Sequence, residues 1–188
     1  MSSRTTFFRS LHDVGLAAWF GGNLMGAVGL NGAAAKARDP RERLSLSSIG
    51  WARWAPVQLV AMVIHGIGGI ALIVDNKARL SAQREARINT AVKSAVTFAA
   101  IGTTAASAVV GAKMASNADE GTRGVTEPDE SSPDDLAAAQ RLQKVLQWAT
   151  PVLTGVLLVL AAQQGEQQRP FAGLLNAKHS LLSRFARR

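Results

Sequence analysis

The sequence predicts an all-α integral membrane protein: a four-helix bundle followed by a C-terminal amphipathic interfacial helix. Two observations support this prediction. The apolar residues are concentrated in a few long runs without charge, and charged residues make up only 18% of the chain, below the roughly 25% of ordinary soluble domains. With 47% hydrophobic positions among 188 residues, the chain has enough apolar surface and length to form one ordered domain.

Four stretches lack charged residues and are long enough to cross a bilayer, which takes about 20 residues of helix. They cover residues 14–35, 54–74, 94–112 and 145–165. The second and fourth are strongly apolar. The third is rich in Ala, Ser, Thr and Gly, and such spans usually face neighbouring helices. The alternative for this third stretch is a soluble Ala-rich helix.

The segment that connects the third and fourth spans differs sharply in composition. Residues 114–135 are rich in acidic residues, Gly, Ser and Pro, a composition typical of a mobile extramembrane loop. At its end, Pro133 is followed by Asp134 and Asp135. Proline at an early helix position and acids at the positive end of the helix dipole predict a helix that begins well before the fourth span.

The C-terminal segment, residues 166–188, has apolar residues at helical spacing together with a basic end. This pattern predicts an amphipathic helix on the membrane surface, attracted to anionic lipid headgroups. The alternative is a helix that docks on a partner. The residues expected at the lipid surface are Lys178, Arg184, Arg187 and Arg188.

The chain has a formal net charge of +8. No basic stripe alternates with stacking aromatic residues, so we expect no nucleic-acid partner. The Lys and Arg residues instead flank the spans, and more of them lie on the side of the two termini. The positive-inside rule therefore predicts a multi-pass protein of the inner (plasma) membrane with both termini in the cytoplasm. Because there is no cysteine, disulfides, zinc–cysteine sites and thiol catalysis are excluded.

Glycines form a small-residue face on the first span. Its members are separated by seven, four and three residues, and Gly22 and Gly26 have the spacing typical of closely packed membrane helices. We expect this face to pack against a helix of the same chain or of a second copy. Two asparagines, Asn23 and Asn31, lie in the same span; they predict interhelical hydrogen bonds or, alternatively, a solute pathway. The glycines concerned are Gly15, Gly22, Gly26 and Gly29.

His65 is the one ionisable residue deep within a predicted span, which makes it a functional hypothesis. Counting equal numbers of residues inward from Trp54 and from Val14 places His65 and Met25 at one depth, with Met62 one turn from His65. Histidine with methionine is a ligand set suited to copper(I) or haem iron. The structural alternative is a neutral His65 hydrogen-bonded to a carbonyl or to Asn23.

By the same count, His12 lies at the membrane edge, away from the level of His65. A bis-histidine haem site needs both imidazoles at one level, so we do not expect these two residues to form one. The third histidine, His179, lies in the C-terminal segment.

The first helix has a recognisable pattern. It contains His12, then Trp19-Phe20-Gly21-Gly22, and this resembles the opening helix of copper-resistance-D-type membrane domains. The resemblance extends to about Asp75, and it implies a copper role for the histidines. The whole chain also resembles small actinobacterial four-helix membrane proteins with no assigned activity.

No phosphate-binding glycine loop, nucleophile elbow or HExxH motif is found in the sequence, so we expect a protein that is not an enzyme. The leading hypothesis is an accessory or scaffold subunit that packs through its glycine-rich faces, with the bilayer and a membrane complex or a second copy as partners. The alternative is a small metal (copper) or solute permease that uses His65, Met25, Met62 and Asn23. A third hypothesis is a haem-bearing redox subunit. Only the latter two require a cofactor or metal.

Overall fold

The computed structural model describes the backbone of residues 3–185 and the side chains of residues 3–77 and 80–163. This part of the chain is entirely helical apart from its connections. The helices are α1 (Ser3–Met25), α2 (Asn31–Ala34), α3 (Glu42–Asp75), α4 (Lys77–Ala82), α5 (Arg84–Ala115) and α6 (Asp134–Phe185). The predicted all-α class is confirmed.

The first predicted span is built from α1, a π-helical segment over Gly26–Leu30, and α2. In the π segment the backbone N–H of Asn31 donates to the carbonyl of Gly26, one residue further back than in an α-helix. The helix therefore continues through the glycine-rich stretch with a local widening, and the chain turns only after Ala34.

The helices extend well beyond the apolar stretches that the sequence marked as spans. α3 begins at Glu42 although the predicted span begins at residue 54, and α5 begins at Arg84 although its span begins at residue 94. The prediction ended each span at a charge, but charged residues are compatible with helix where the ends reach water. The basic segments at residues 42–53 and 84–93 are thus helical extensions of the spans.

The helix start near Pro133 is confirmed, because α6 begins at Asp134 with both acids in its first turn. Its backbone continues as one helix to Phe185. The predicted amphipathic segment starts at residue 166, and its side chains, including Lys178 and Arg184, lie outside the described residues. Arg187 and Arg188 lie beyond the described backbone.

Three helices in the described part of the chain are long and apolar enough to cross a membrane: α3, α5 and the Asp134–Gln163 part of α6. α1 is not among them. It carries Arg9 and Asp13 in its first half, and the π segment ends its regular α-helical part at Met25. The first predicted span is therefore helical but less apolar than the other three.

The helices pack as a bundle in which α1 contacts both α3 and α6, while α5 packs mainly on α6. Two apolar clusters hold it together. One lies along the middle of the helices and contains Leu16, Trp19, Ala61, Ala100 and Leu157. The other lies at the end where residues 36–41 and 116–133 connect the helices, and contains Ala34, Leu44, Met114, Val125, Leu136 and Ala139.

The acidic connection between α5 and α6 is packed at its centre, which its composition did not predict. Thr122, Val125 and Thr126 are buried. The Arg43 guanidinium donates to the carbonyls of Thr122 and Arg123, at 2.8 and 2.9 Å, and also to that of Ala37. These bonds join the two connections at this end of the bundle.

The outer part of the same connection behaves as its composition suggests. Residues 128–131 are largely exposed. The backbone N–H and the hydroxyl of Ser131 donate to the Asp129 carboxylate and lower the pKa of Asp129. This local turn leads directly into α6.

Candidate functional site

The glycine face of α1 packs on α3 within the same chain. A Cβ at Gly22 would overlap the ring of Trp54, and one at Gly26 would overlap Trp51. At Gly15 the neighbours are backbone atoms of α3, namely the carbonyl oxygen of Ala61 and the amide nitrogen of His65. Each missing side chain thus makes room for a bulky ring or for direct backbone contact.

Gly29 differs from these three glycines, because a Cβ there would meet only the side chain of Met25 on its own helix. Met25 itself is 65% exposed. This side of the first span therefore faces away from α3.

A cavity of about 250 Å³ lies between α1, α3, α5 and α6, towards the end with the two connections. Its wall contains Leu, Ala, Gly, Met, Val and Trp residues together with Asn, Gln, Ser and Thr side chains, and no ionisable residue. Such a mixture, mostly apolar with a few placed polar groups, is typical of small-molecule sites. The polar members are Asn23, Asn31, Ser47, Ser48, Gln58, Thr104, Ser107 and Gln143.

One hydrogen-bond network in the wall centres on Asn23 and Gln58. The Gln58 Oε1 atom accepts from Asn23 Nδ2 at 2.8 Å and from the Trp54 indole at 2.9 Å. Asn23 Nδ2 also donates to the carbonyl of Trp19 at 2.8 Å. Because an indole only donates and a carbonyl only accepts, the orientations of both amides are fixed.

A second network centres on Asn31, at the end of the first span. Its Oδ1 atom accepts from the Ser47 hydroxyl at 2.8 Å and from the Trp51 indole at 3.0 Å. Its Nδ2 group donates to Gln147 Oε1 at 2.9 Å. Asn31 thereby links α2 to α3 and α6 and is only 6% exposed.

Gln143 of α6 completes the wall from the opposite side. Its Nε2 group donates to the Ser107 hydroxyl at 2.7 Å. Its Oε1 atom is buried and has no hydrogen-bond partner among the described residues. A buried amide oxygen without a hydrogen-bond partner costs free energy, so a donor at this atom would stabilise the fold.

A second cavity, of about 350 Å³, lies nearer the terminal end of the bundle between α1, α3 and α5. Its wall includes His12, His65 and Lys93 beside apolar residues such as Phe98. The two imidazole centroids are 4.1 Å apart. His65 is buried, and its Nδ1–H donates to the carbonyl of His12 at 3.0 Å.

His12 has a similar arrangement, since its Nδ1 lies 3.0 Å from the Asp13 carboxylate. An acceptor at Nδ1 holds the proton there and leaves the lone pair on Nε2. Neither Nε2 atom has a hydrogen-bond partner within the described side chains. The wall of this cavity therefore contains two imidazoles whose Nε2 atoms make no hydrogen bond to a described side chain, and Lys93 lies in the same wall.

The predicted grouping of His65 with Met25 and Met62 is not formed. His65 lies level with His12, whereas Met25 lies thirteen residues further along the first span, about 20 Å away along the helix. Met62 is half-buried and packs against the apolar cluster around Leu16. The separation of His12 from His65 in depth, expected from the sequence, is likewise wrong.

The cause is the register of α1 on α3. Depth was counted from the ends of the charge-free stretches, as if these ends were level in neighbouring helices. In the structure Trp54, the first residue of the second predicted span, lies against Gly22. The end of the first span at residue 35 is thirteen residues beyond Gly22, so the two stretches are displaced along the bundle.

Within the described residues no group of three or more His, Cys, Asp and Glu side chains is arranged to hold a metal ion. A haem between His12 and His65 does not fit either, because rings with centroids 4.1 Å apart leave no room for an iron and its porphyrin between them. The predicted copper ligands are thus reduced to a two-histidine arrangement.

Several residues of these sites were not predicted from the sequence. They include Trp51 and the glutamines Gln58, Gln143 and Gln147, and Trp54 served only to mark the start of the second predicted span. The spacing of Gly22 and Gly26 opposite Trp51 and Trp54 was a signal that small and bulky residues are complementary.

No protein-family model, curated protein or solved structure matches the chain.

Proposed function

We propose that this chain is a four-span, non-enzymatic membrane protein that acts as an accessory or scaffold subunit. One observation carries the proposal: many large apolar side chains point outward, while threonine and amide side chains are buried beside the two apolar clusters. In water this arrangement would expose a broad apolar surface, so the solvent that suits it is the bilayer. Examples of the outward residues are Leu59, Ile70, Phe98, Val109 and Val159, each at least 57% exposed.

The position of α1 supports a fourth crossing. It packs against two of the three apolar helices. Asn23 of α1 and Asn31 of α2 face the interior, whereas Val14 and Met25 of α1 and Val28 of the π-helical segment face outward. A helix shielded in this way needs less overall hydropathy than one that faces lipid on all sides, because its polar groups are paired inside the bundle.

The surface available to a partner follows from the same packing. The face of Gly15, Gly22 and Gly26 is occupied by α3 of the same chain. An oligomer or a complex partner therefore contacts the apolar outer faces of α3, α5 and α6. The positive-inside bias assigns the termini to the cytoplasm and the connections at residues 36–41 and 116–133 to the opposite side.

Cysteine labelling tests this topology without background, since the chain has no cysteine. Ser3→Cys and Arg38→Cys place single thiols at exposed positions on the two ends of the first span. With a membrane-impermeant maleimide on intact cells, we expect labelling at position 38, and at position 3 only after permeabilisation. Asp119→Cys is the control for the α5–α6 connection and is expected to match position 38. Labelling of positions 3 and 38 from one side contradicts the four-span topology.

A second function, binding of a soft cation such as copper(I), is favoured by the paired histidines. Two imidazoles, each with an acceptor at Nδ1, form a donor set of the kind found in metal sites with ordered outer partners. The ligands in this version are His12 and His65, without Met25 or Met62. Lys93 lies in the same wall, and a basic side chain there disfavours binding of a cation. For this reason we place metal binding after the scaffold function.

Metal analysis of the detergent-purified protein decides between the two functions. His65→Asn retains a side-chain donor for the His12 carbonyl and removes the free ring nitrogen, and His179→Ala is the matched control in the C-terminal segment. Stoichiometric copper that is lost in His65→Asn and retained in His179→Ala supports the metal site. If the protein contains no metal after growth with added copper, the copper-binding function is refuted. A Soret band in the absorbance spectrum would show bound haem and would contradict the geometric argument against a haem between His12 and His65.

A further inference from the structure

Four helices contribute polar groups at one level of the first cavity. The Trp19 indole donates to the Thr104 hydroxyl at 3.2 Å, so Trp19 of α1 and Thr104 of α5 lie at the same height along the bundle. One turn further along these helices are Asn23 and Ser107, and they are bonded to Gln58 of α3 and to Gln143 of α6 respectively. The level therefore brings together three side-chain amides, one each from α1, α3 and α6.

The existing bonds determine which polar groups remain available. Asn23 and Gln58 are held by the Trp19 carbonyl and the Trp54 indole, so Asn23 Oδ1 is an acceptor and Gln58 Nε2 a donor. Neither has a protein partner in the described structure. Gln143 Oε1 is fully buried and is not presented to the cavity; its Nε2 group donates to the Ser107 hydroxyl.

The chemistry of the wall limits what can bind there. An ion is disfavoured, because no lining residue carries a charge that would offset its desolvation. Alanine, leucine, tryptophan and methionine make up much of the remaining wall and suit an apolar body. The volume of about 250 Å³ lies near the lower end of ligand pockets, which begin at roughly 300 Å³.

We propose that this cavity binds a small neutral molecule with a carboxamide or urea group. One of its N–H groups donates to Asn23 Oδ1, and its carbonyl accepts from Gln58 Nε2. A carboxamide or urea provides this donor and this acceptor in one planar group. The apolar part of the ligand contacts the rings of Trp51 and Trp54. This inference does not depend on the scaffold proposal, since the cavity is formed by the bundle alone.

Calorimetric titration of the full-length protein in detergent tests the ligand class with three matched probes. Benzamide has the proposed group, acetophenone has the carbonyl without the N–H donors, and benzoate has a charge. We expect saturable binding of benzamide, about tenfold weaker binding of acetophenone because its donors are missing, and no binding of benzoate. Equal affinity for benzamide and acetophenone overturns the assignment, as does the absence of saturable binding by all three.

Two glycines of α5 provide a matched pair of variants that locate the bound molecule. A Cβ at Gly111 or at Gly102 would meet no atom of a neighbouring element within 4 Å, so both positions have room for the start of a side chain. Only Gly111 lines the cavity. We expect Gly111→Leu to abolish benzamide binding and Gly102→Leu to leave it unchanged. Binding that survives Gly111→Leu overturns the assignment to this cavity. Circular dichroism confirms that each variant has the helix content of the parent.

Discussion

Gly15 is the point of closest backbone contact between α1 and α3, which makes Gly15→Ala a direct test of the packing. A methyl group at Gly15 would lie 2.5 Å from the Ala61 carbonyl oxygen and 2.7 Å from the His65 amide nitrogen. Both are backbone atoms and have no rotamer by which to move aside. To restore a usual separation of about 3.5 Å, the helices must part by roughly 1 Å.

Overpacking of this kind costs about 1–3 kcal/mol. Alanine is also a better helix former than glycine by about 1 kcal/mol, which partly offsets the loss. Gly21→Ala separates the two effects, because it lies on the same helix and its new methyl meets no atom within 4 Å. The difference between the two variants is therefore the packing cost, about 1–3 kcal/mol.

The assay is thermal unfolding in detergent, followed by circular dichroism and by size-exclusion chromatography. For a chain of this size, the packing cost corresponds to a Tm that is roughly 2–12 °C lower in Gly15→Ala than in Gly21→Ala. The Gly21→Ala protein is expected to be at least as stable as the parent. Equal Tm values for the two variants would show that Gly15 does not contact α3 and would refute the packing described here.

Three further predictions concern hydrogen bonds in the bundle. Asn31→Leu leaves the Ser47 hydroxyl and the Trp51 indole without their acceptor, and we expect a loss of about 1–3 kcal/mol in the free energy of unfolding, measured by chemical denaturation; an unchanged value would contradict the network. Trp19→Phe removes the bond to Thr104 and part of the ring volume, and should cost about 1–2 kcal/mol in the same assay. Arg43→Met retains the aliphatic stem but releases the carbonyls of residues 122 and 123, so limited trypsinolysis at Arg123 should become faster; an unchanged cleavage rate would show that the guanidinium does not hold this connection.

The helices themselves follow closely from the sequence. Runs of apolar residues predict α3, α5 and α6, and Pro133 with two following acids predicts the start of α6 at Asp134. These features are local, because they depend on hydropathy and on the chemistry of helix ends. The helical lengths are less predictable, since charged residues continue a helix as readily as they end an apolar run.

The relative positions of the helices do not follow from the ends of the apolar runs. They depend on which small residue accepts which large one, as with Gly22 and Trp54, and this is a property of two segments together. For that reason His12, expected at a different depth, lies beside His65. For the same reason Gln143, which precedes the predicted fourth span, was not among the predicted site residues.

The connection between α5 and α6 illustrates a further limit. Its acidic composition predicts solvent exposure, yet Val125 is buried in an apolar cluster. Gln140 of α6 donates to the carbonyls of Gly124 and Val125 at 3.1 and 3.0 Å. A few specific contacts thus decide which residues of this connection are buried. A single sequence gives only the average composition of such a segment, and that average does not identify these contacts.

The register of α1 on α3 is the central claim, because both cavities depend on it. Cysteine pairs introduced into this cysteine-free chain measure it directly with a short bifunctional thiol reagent. The structure predicts efficient cross-linking of Gly26→Cys with Trp51→Cys, which are in contact. It predicts none of Met25→Cys with His65→Cys, because the His65 backbone lies against Gly15, ten residues and about 15 Å of helix before Met25. Cross-linking of the second pair in place of the first would contradict the register and both sites derived from it.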